Sequence, residues 1–173
     1  ETAGRIPKSA VVSVNQATGD ALKALCARGP VRVRLNTETW IGFKKLPLAV
    51  AEVKGKFEPD KYVLFNGHID SWHEGIGDNA TGDATLMEVA RVLWKHRDKL
   101  ARSVRIAWWS GHSHGRYAGS SWYADTHALD IDEHCIAHIN CDSPGCRWAT
   151  AYEDVFWMSE AETVAGAVIE DVT

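Results

Sequence analysis

Imidazole and carboxylate side chains recur at the ends of apolar runs in this chain, and those residue types together can hold a metal ion. The first place is Val63-Leu-Phe-Asn-Gly-His-Ile-Asp-Ser-Trp-His-Glu-Gly-Ile-Gly-Asp-Asn-Ala-Thr-Gly82, where an apolar run empties into a glycine-punctuated polar loop and a helical pattern begins. His68 and Asp70 are spaced by two, so if extended backbone persists past the run both side chains face one point. A metal-bound imidazole usually donates its other ring N–H to a carboxylate, which makes His68 a candidate ligand and Asp70 its orienting partner. Asp78 follows as a second hard ligand, and Asp142 closes another apolar run. Nitrogen and oxygen donors of this kind suit zinc. Two ions about 3.5–4 Å apart and bridged by one carboxylate would activate a water and polarise a carbonyl together. Each residue also has a plainer use. Asp78 or Asn79 can cap the helix that starts near Ala80, and His68 can be a hydrogen-bonded core histidine; the metal reading rests on the conjunction.

These groups need elements to hold them. Tyr62 to Phe65 is a short continuous apolar run, the mark of a strand buried on both faces, and sheets of such strands place ligands beyond their carboxyl ends. Leu48 to Val53 predicts a strand before it, with a turn-rich link over Gly55 to Lys61. Leu86, Ala90 and Leu93, with Met87 and Trp94 beside them, predict a helix over Ala80 to Leu100. Val104 to Trp109 predicts the next buried strand, running into Ser110-Gly-His-Ser-His-Gly115. A helix over about Ser121 to Ala128 leads to a further buried strand, Cys135 to Cys141, so three buried strands end in candidate ligands. Upstream, Ile6 to Val14 is strand-like, Thr18 to Ala27 helical, and Val31 to Leu35 alternates like a half-exposed strand. Downstream, Ala149 to Val155 predicts a strand, and Ser159 with Glu162 a capping box before a helix to about Glu170. The sum is an α/β fold, a mixed and largely parallel sheet flanked by helices in three layers.

The 173 residues, 45% hydrophobic and 24% charged, have the composition of a globular protein and can bury a sizeable core. The formal net charge of -4 leaves no electrostatic footprint for nucleic acid. No apolar run approaches the roughly 20 residues that span a bilayer, and no signal peptide opens the chain. Cys26, Cys135, Cys141 and Cys146 show neither metal spacing nor the density of a disulfide scaffold, so they read as buried thiols and the compartment stays open, cytoplasmic or secreted. Most of the eight tryptophans should be core; Trp72, Trp109 and Trp122 lie near the candidate site, where packing is the expectation for each.

Taken in order, Gly-His-x-Asp-Ser, then Gly-x-x-Asp-Asn-x-x-Gly, a helix, an apolar strand, a loop ending Gly119-Ser120 and finally Ile-Asn-Cys-Asp142 resemble the two-zinc aminopeptidases related to glutamate carboxypeptidase II and the transferrin receptor ectodomain. The resemblance covers about Leu48 to Asp142. It implies that His68 binds one zinc, Asp78 bridges both, Asp142 binds the other, and Asp70 orients His68. Residues 4 to 35 resemble the tail of the protease-associated domain inserted ahead of such catalytic domains. The expected division is therefore residues 1–43, a remnant of that insert, and residues 44–173, the N-terminal part of a zinc-peptidase-like domain.

Two departures accompany the resemblance. Where the family carries a Glu-Glu pair, general base and zinc ligand, this chain has His112-Ser-His114, one residue longer. His112 falls on the base position counted from the strand, and His114 on the ligand position counted from Gly119-Ser120; histidine can do either task. The family's last zinc-binding histidine lies well downstream, and no histidine follows His138, so the expectation is a fragment truncated at both ends with an incomplete second zinc site. The reading is a zinc hydrolase of peptide or related amide bonds. One alternative is a catalytically inactive, receptor-like module on the peptidase fold. Another is a serine hydrolase, because Gly111-His-Ser-His-Gly115 matches G-x-S-x-G after a buried strand and would make Ser113 the nucleophile, although no histidine follows the acid in the order that triad needs.

Overall fold

The computed structural model describes residues 9–40, 42–148 and 158–172. Two compact units divide the chain, Glu1–Lys44 and Lys45–Thr173. The first holds helix α1, Gln16–Cys26, opened by Asn15, whose side chain accepts the Thr18 N–H at 2.9 Å. The strand-like segments at residues 9–14 and 31–35 form no strand. Alternating apolar residues become a strand only when a second strand takes their backbone hydrogen bonds, and none does so here among the described residues.

The second unit is built on four strands, β1 (Ala49–Val53), β2 (Glu58–His68), β3 (Arg102–Trp109) and β4 (Cys135–Asn140), in the order β1-β3-β2-β4. β2 is parallel to both neighbours and β1 antiparallel to β3, so the sheet is mixed and largely parallel. β2 starts at Glu58, inside the expected turn-rich link. Pro59 cannot donate to a ladder, and the register shifts between Glu58 and Tyr62. Buried Ser103 stitches this bulge, donating to the Pro59 carbonyl and accepting the Gly55 N–H.

Helix α2, Thr81–Lys95, connects β2 to β3, and α3 (Ala118–Thr126) with α4 (Ala128–His134) connects β3 to β4. The period-two alternation of the strands sends their side chains to two cores. Tyr62, Leu64, Ala107 and Trp109 pack with Tyr123 of α3 and Ile131 of α4. Val104 and Ile106 pack with Leu86, Ala90 and Leu93 of α2 on the other face. That makes three layers, α2, sheet, and α3 with α4. On the α3 and α4 face Arg105 lies over the Tyr62 ring and bonds Glu52, Asp130 and Tyr123, a charge satisfied on every side.

Several expectations fail for identifiable reasons. β4 is a strand but an exposed edge strand, since β2 is its one partner among the described residues. The single helix expected over Ser121 to Ala128 is two helices that meet at His127. The last helix, α5, runs Glu162–Val172 after a 3-10 turn, but Ser159 Oγ donates to its neighbour Glu160 instead of building a capping box. Of the tryptophans, Trp109 is buried and Trp108 packs against the α2-side core, while Trp72 at 71% and Trp122 at 56% exposure stay outside both cores. Cys26 and Cys146 are exposed rather than buried thiols. The strand expected at 149–155 lies outside the described residues. No helix is long and apolar enough to cross a membrane among the described residues.

Leu86 is fully buried where α2 meets the sheet. Leu86→Ala is expected to lower unfolding stability by about 2–5 kcal/mol, whereas Met87→Ala on the solvent side of the same helix should stay within about 0.5 kcal/mol; urea denaturation of both variants checks this.

Candidate metal centre

The helices that follow β2 and β3 lie on opposite faces of the sheet, so the loops leaving these neighbouring strands diverge and open a crevice at their carboxyl ends. His68 is the last residue of β2, registered opposite Trp109, the last of β3. It is 3% exposed. Its Nδ1 donates to the backbone carbonyl of Asp70 at 2.7 Å, and its Nε2 lies 2.7 Å from Asp78 Oδ1 and 3.2 Å from Asp142 Oδ1. The His112 ring, from the loop after β3, stacks on the His68 ring with centroids 4.0 Å apart and planes 9° apart. One donor atom each from His68, His112 and Asp142 lies within 4.8 Å of the other two. Three segments far apart in the chain thus bring nitrogen and oxygen donors to one place.

Asn79 fixes the geometry. Its side-chain N–H groups donate to the His68 carbonyl at 3.2 Å and the Cys141 carbonyl at 3.1 Å, and its oxygen accepts Gly82 N–H at 3.2 Å and Ser143 N–H at 2.9 Å. One amide, 1% exposed, therefore joins the end of β2, the segment after β4 and the first turn of α2. The bond to Gly82, three residues on, is the cap-like contact that local composition suggests, so Asp78 is free to face His68. Gly82 has to be glycine, because a Cβ there would come within 2.1 Å of Asn79 Oδ1 and 2.5 Å of the Cys141 carbonyl.

Asp70 and His114 are placed differently from the sequence expectation. The Asp70 carboxylate is 4.0 Å from His68 Nδ1, too far for a hydrogen bond; the backbone carbonyl of Asp70 holds the ring instead. That carboxylate accepts the backbone N–H groups of His112 at 3.0 Å, Ser113 at 2.8 Å and His114 at 3.4 Å. Burial alone would push the Asp70 carboxyl up, but these donors outweigh it and hold it below the ordinary carboxylate value. His114 is exposed, turns Nε2 to the Ser71 carbonyl and lies against Trp72; it is outside the three-donor cluster. Ser113 meets Asp70 through its backbone, and the helix that a nucleophile elbow needs at once begins only at Ala118. Tyr117, not anticipated, sets its ring edge-on to His112 at 4.8 Å.

The sequence profile of Peptidase family M28 matches residues 49–164. This chain belongs to that family. Among curated proteins it is similar to the probable glutamate carboxypeptidase VP8 of Zea mays, 31% identical over 121 residues, or 66% of this chain and 16% of that protein. It is also similar to the aminopeptidase NAALADL1 of Mus musculus, 34% identical over 98 residues, covering 52% of this chain and 12% of the relative. The transferrin receptor protein 1 of Gallus gallus is 28% identical over 118 residues, covering 66% and 15%. The chain thus matches less than a fifth of each relative's length. A solved peptidase M28 precursor from Shewanella amazonensis is 33% identical, with a TM-score of 0.46, covering 51% of this chain and 20% of that one. Of the three curated relatives, two carry peptidase names and one a receptor name.

Removing the Asn79 amide leaves backbone groups of three segments, buried at His68 and Gly82 and part-buried at Cys141 and Ser143, without this partner. Asn79→Ala is expected to cost about 1–3 kcal/mol and to speed hydrogen exchange at the Gly82 and Ser143 amides; amide exchange followed by NMR reads both.

Proposed function

We propose that this chain carries the metal-binding part of a zinc-dependent hydrolase of peptide or related amide bonds, with His68, His112 and Asp142 holding the ion and Asp78 beside them. One observation carries the reading. With Nδ1 engaged as donor to a carbonyl, the His68 ring turns Nε2 to two carboxylate oxygens at 2.7 and 3.2 Å. Such a gathering of nitrogen and oxygen atoms takes up a shared positive charge, which a bound cation supplies as well as a proton on Nε2 does. Asp83, in the first turn of α2, is a further carboxyl group near this cluster. Its buried Oδ1 has no hydrogen-bond partner among the described residues, and burial pushes its carboxyl up. Two imidazoles and carboxylates are a donor set that zinc accepts, so the residues fit the ion.

Zinc, when bound, supplies Lewis acidity that acidifies water and polarises a carbonyl. The chain's own residues do the rest. The Asp70 carbonyl fixes the tautomer and orientation of His68. Asp142 and Asp78 bring negative charge to the mouth of the crevice. His112 lies in the loop where the family resemblance places the glutamates, and its distances favour it over His114 for their work, as a ligand or as the acceptor of a water proton. The names of the carboxypeptidase and aminopeptidase relatives support a peptide substrate. Residues 1–43 we read as the remnant of a protease-associated-like insert, on the sequence resemblance. A second reading, a binding module without catalysis, is favoured by the replaced glutamates and by the transferrin receptor relative.

Elemental analysis after dialysis against trace zinc is expected to find the ion in the wild-type protein, with zinc affinity weakened more than about tenfold in His68→Ala, His112→Ala and Asp142→Asn. Equal zinc content in all four would refute the site. Chelation should abolish peptide hydrolysis and zinc restore it; zinc binding with no hydrolysis of any peptide or amide would favour the binding module.

A further inference from the structure

The Asp70 carboxylate is unusual in what it binds. Three successive backbone amides, those of His112, Ser113 and His114, converge on its two oxygens at 3.0, 2.8 and 3.4 Å, the arrangement by which a turn forms a nest around an anion. The same loop closes on itself, with Tyr117 N–H bonded to the His112 carbonyl at 3.2 Å and Ala118 N–H to the Gly111 carbonyl at 3.0 Å. It contains two consecutive non-glycine residues in the left-handed region, Arg116 at φ 49° and Tyr117 at φ 67°. Residues in that conformation persist where their surroundings over-determine them. The product of the arrangement is the position of one ring: His112 stacked on His68 at 4.0 Å and flanked edge-on by Tyr117.

We propose that Asp70 is the positioning residue of His112, and that its carboxylate acts on the site by gathering the backbone of the loop after β3 and not by orienting the His68 ring. The geometry separates the two roles within one residue. The carbonyl of Asp70 serves His68, and any residue type can supply a carbonyl. The side chain serves His112, and only an acceptor at this position can. Tyr117, edge-on to the same imidazole, completes the clamp.

The inference concerns the same centre as the zinc reading, and its first test is independent of metal. In the metal-free protein, the rate at which diethyl pyrocarbonate modifies His112, located by peptide mass spectrometry, is expected to rise severalfold in Asp70→Ala, with exposed His73 as an unchanged control. Asp70→Asn keeps the shape and one acceptor oxygen but turns an N–H toward the Ser113 amide, so it should fall between wild type and alanine. It also keeps the test valid if the alanine variant does not fold. His112 reactivity unchanged in Asp70→Asn, and in Asp70→Ala where it folds, would overturn the proposal. The second test is a zinc-affinity cycle. Asp70→Asn should weaken zinc binding, by up to the 10–100-fold usual for an outer-shell partner, in the wild-type background and have little effect in a His112→Ala background. An equal loss in both backgrounds would show that Asp70 acts through His68 and would overturn the proposal. A wild-type protein that binds no zinc would sink the metal reading, and the modification rates would still decide the role of Asp70.

Discussion

One primary amide holds the site together. The four hydrogen bonds of Asn79 join the carboxyl end of β2, the segment after β4 and the start of α2. Each of these ends brings a chemical group with it: His68, Asp142, and the turn that presents Asp78. In water the four bonds would be exchanged freely, but in a buried position an unmade bond costs its full desolvation, so the three segments are locked to one relative placement. The glycines follow from this constraint. Gly67 lies against the Cys141 carbonyl and Gly82 against Asn79, where a Cβ would separate the segments that the amide pulls together.

Around that lock the sheet supplies direction. Helices on opposite faces part the loops after β2 and β3, and the crevice left between them receives His68 from one side and His112 from the other. Polar groups below the crevice are paired. Asn66, buried one turn of the pleat beneath His68, accepts the Trp109 indole N–H at 2.6 Å and donates to His138 and to the Ile139 carbonyl. The polar groups of Asn66, Trp109 and His138 thus satisfy one another beneath the carboxylates of Asp78 and Asp142.

Much of the framework is legible in the amino-acid sequence. Tyr62–Phe65 is a continuous apolar run and Val104–Trp109 is broken only by Arg105, and burial on both faces suits such runs, so their strands and the α/β class follow from composition. What is not legible depends on neighbours. Cys135–Asn140 is as apolar as the central strands, and nothing local distinguishes an edge from a centre. Ala128–His134 has two large apolar residues, too few for a helical period, and becomes α4 because Ile131 reaches the core and Asp130 meets Arg105. The site divides in the same way. The spacing of His68 and Asp70 brings both into the same neighbourhood, but it cannot tell that the carboxylate turns to a loop more than forty residues away while the carbonyl takes the imidazole. Asn79 is written locally as a cap, and its other three bonds go to segments that a local reading does not contain. Trp122 is exposed on α3, which sends Tyr123 to the core instead, and Trp72 is exposed in the loop after β2, against His114.

The exposed position of β4 gives the crevice a second meaning. His68 and Asp142 are 74 residues apart in the chain, and among the described residues the strand that delivers Asp142 is held to the sheet along one side. Whatever draws those two groups together also fastens that strand, so occupancy of the crevice and retention of the strand are expressions of a single coupled equilibrium. The centre thus doubles as a clasp: its grip on a ligand is also the grip of the sheet on its own margin.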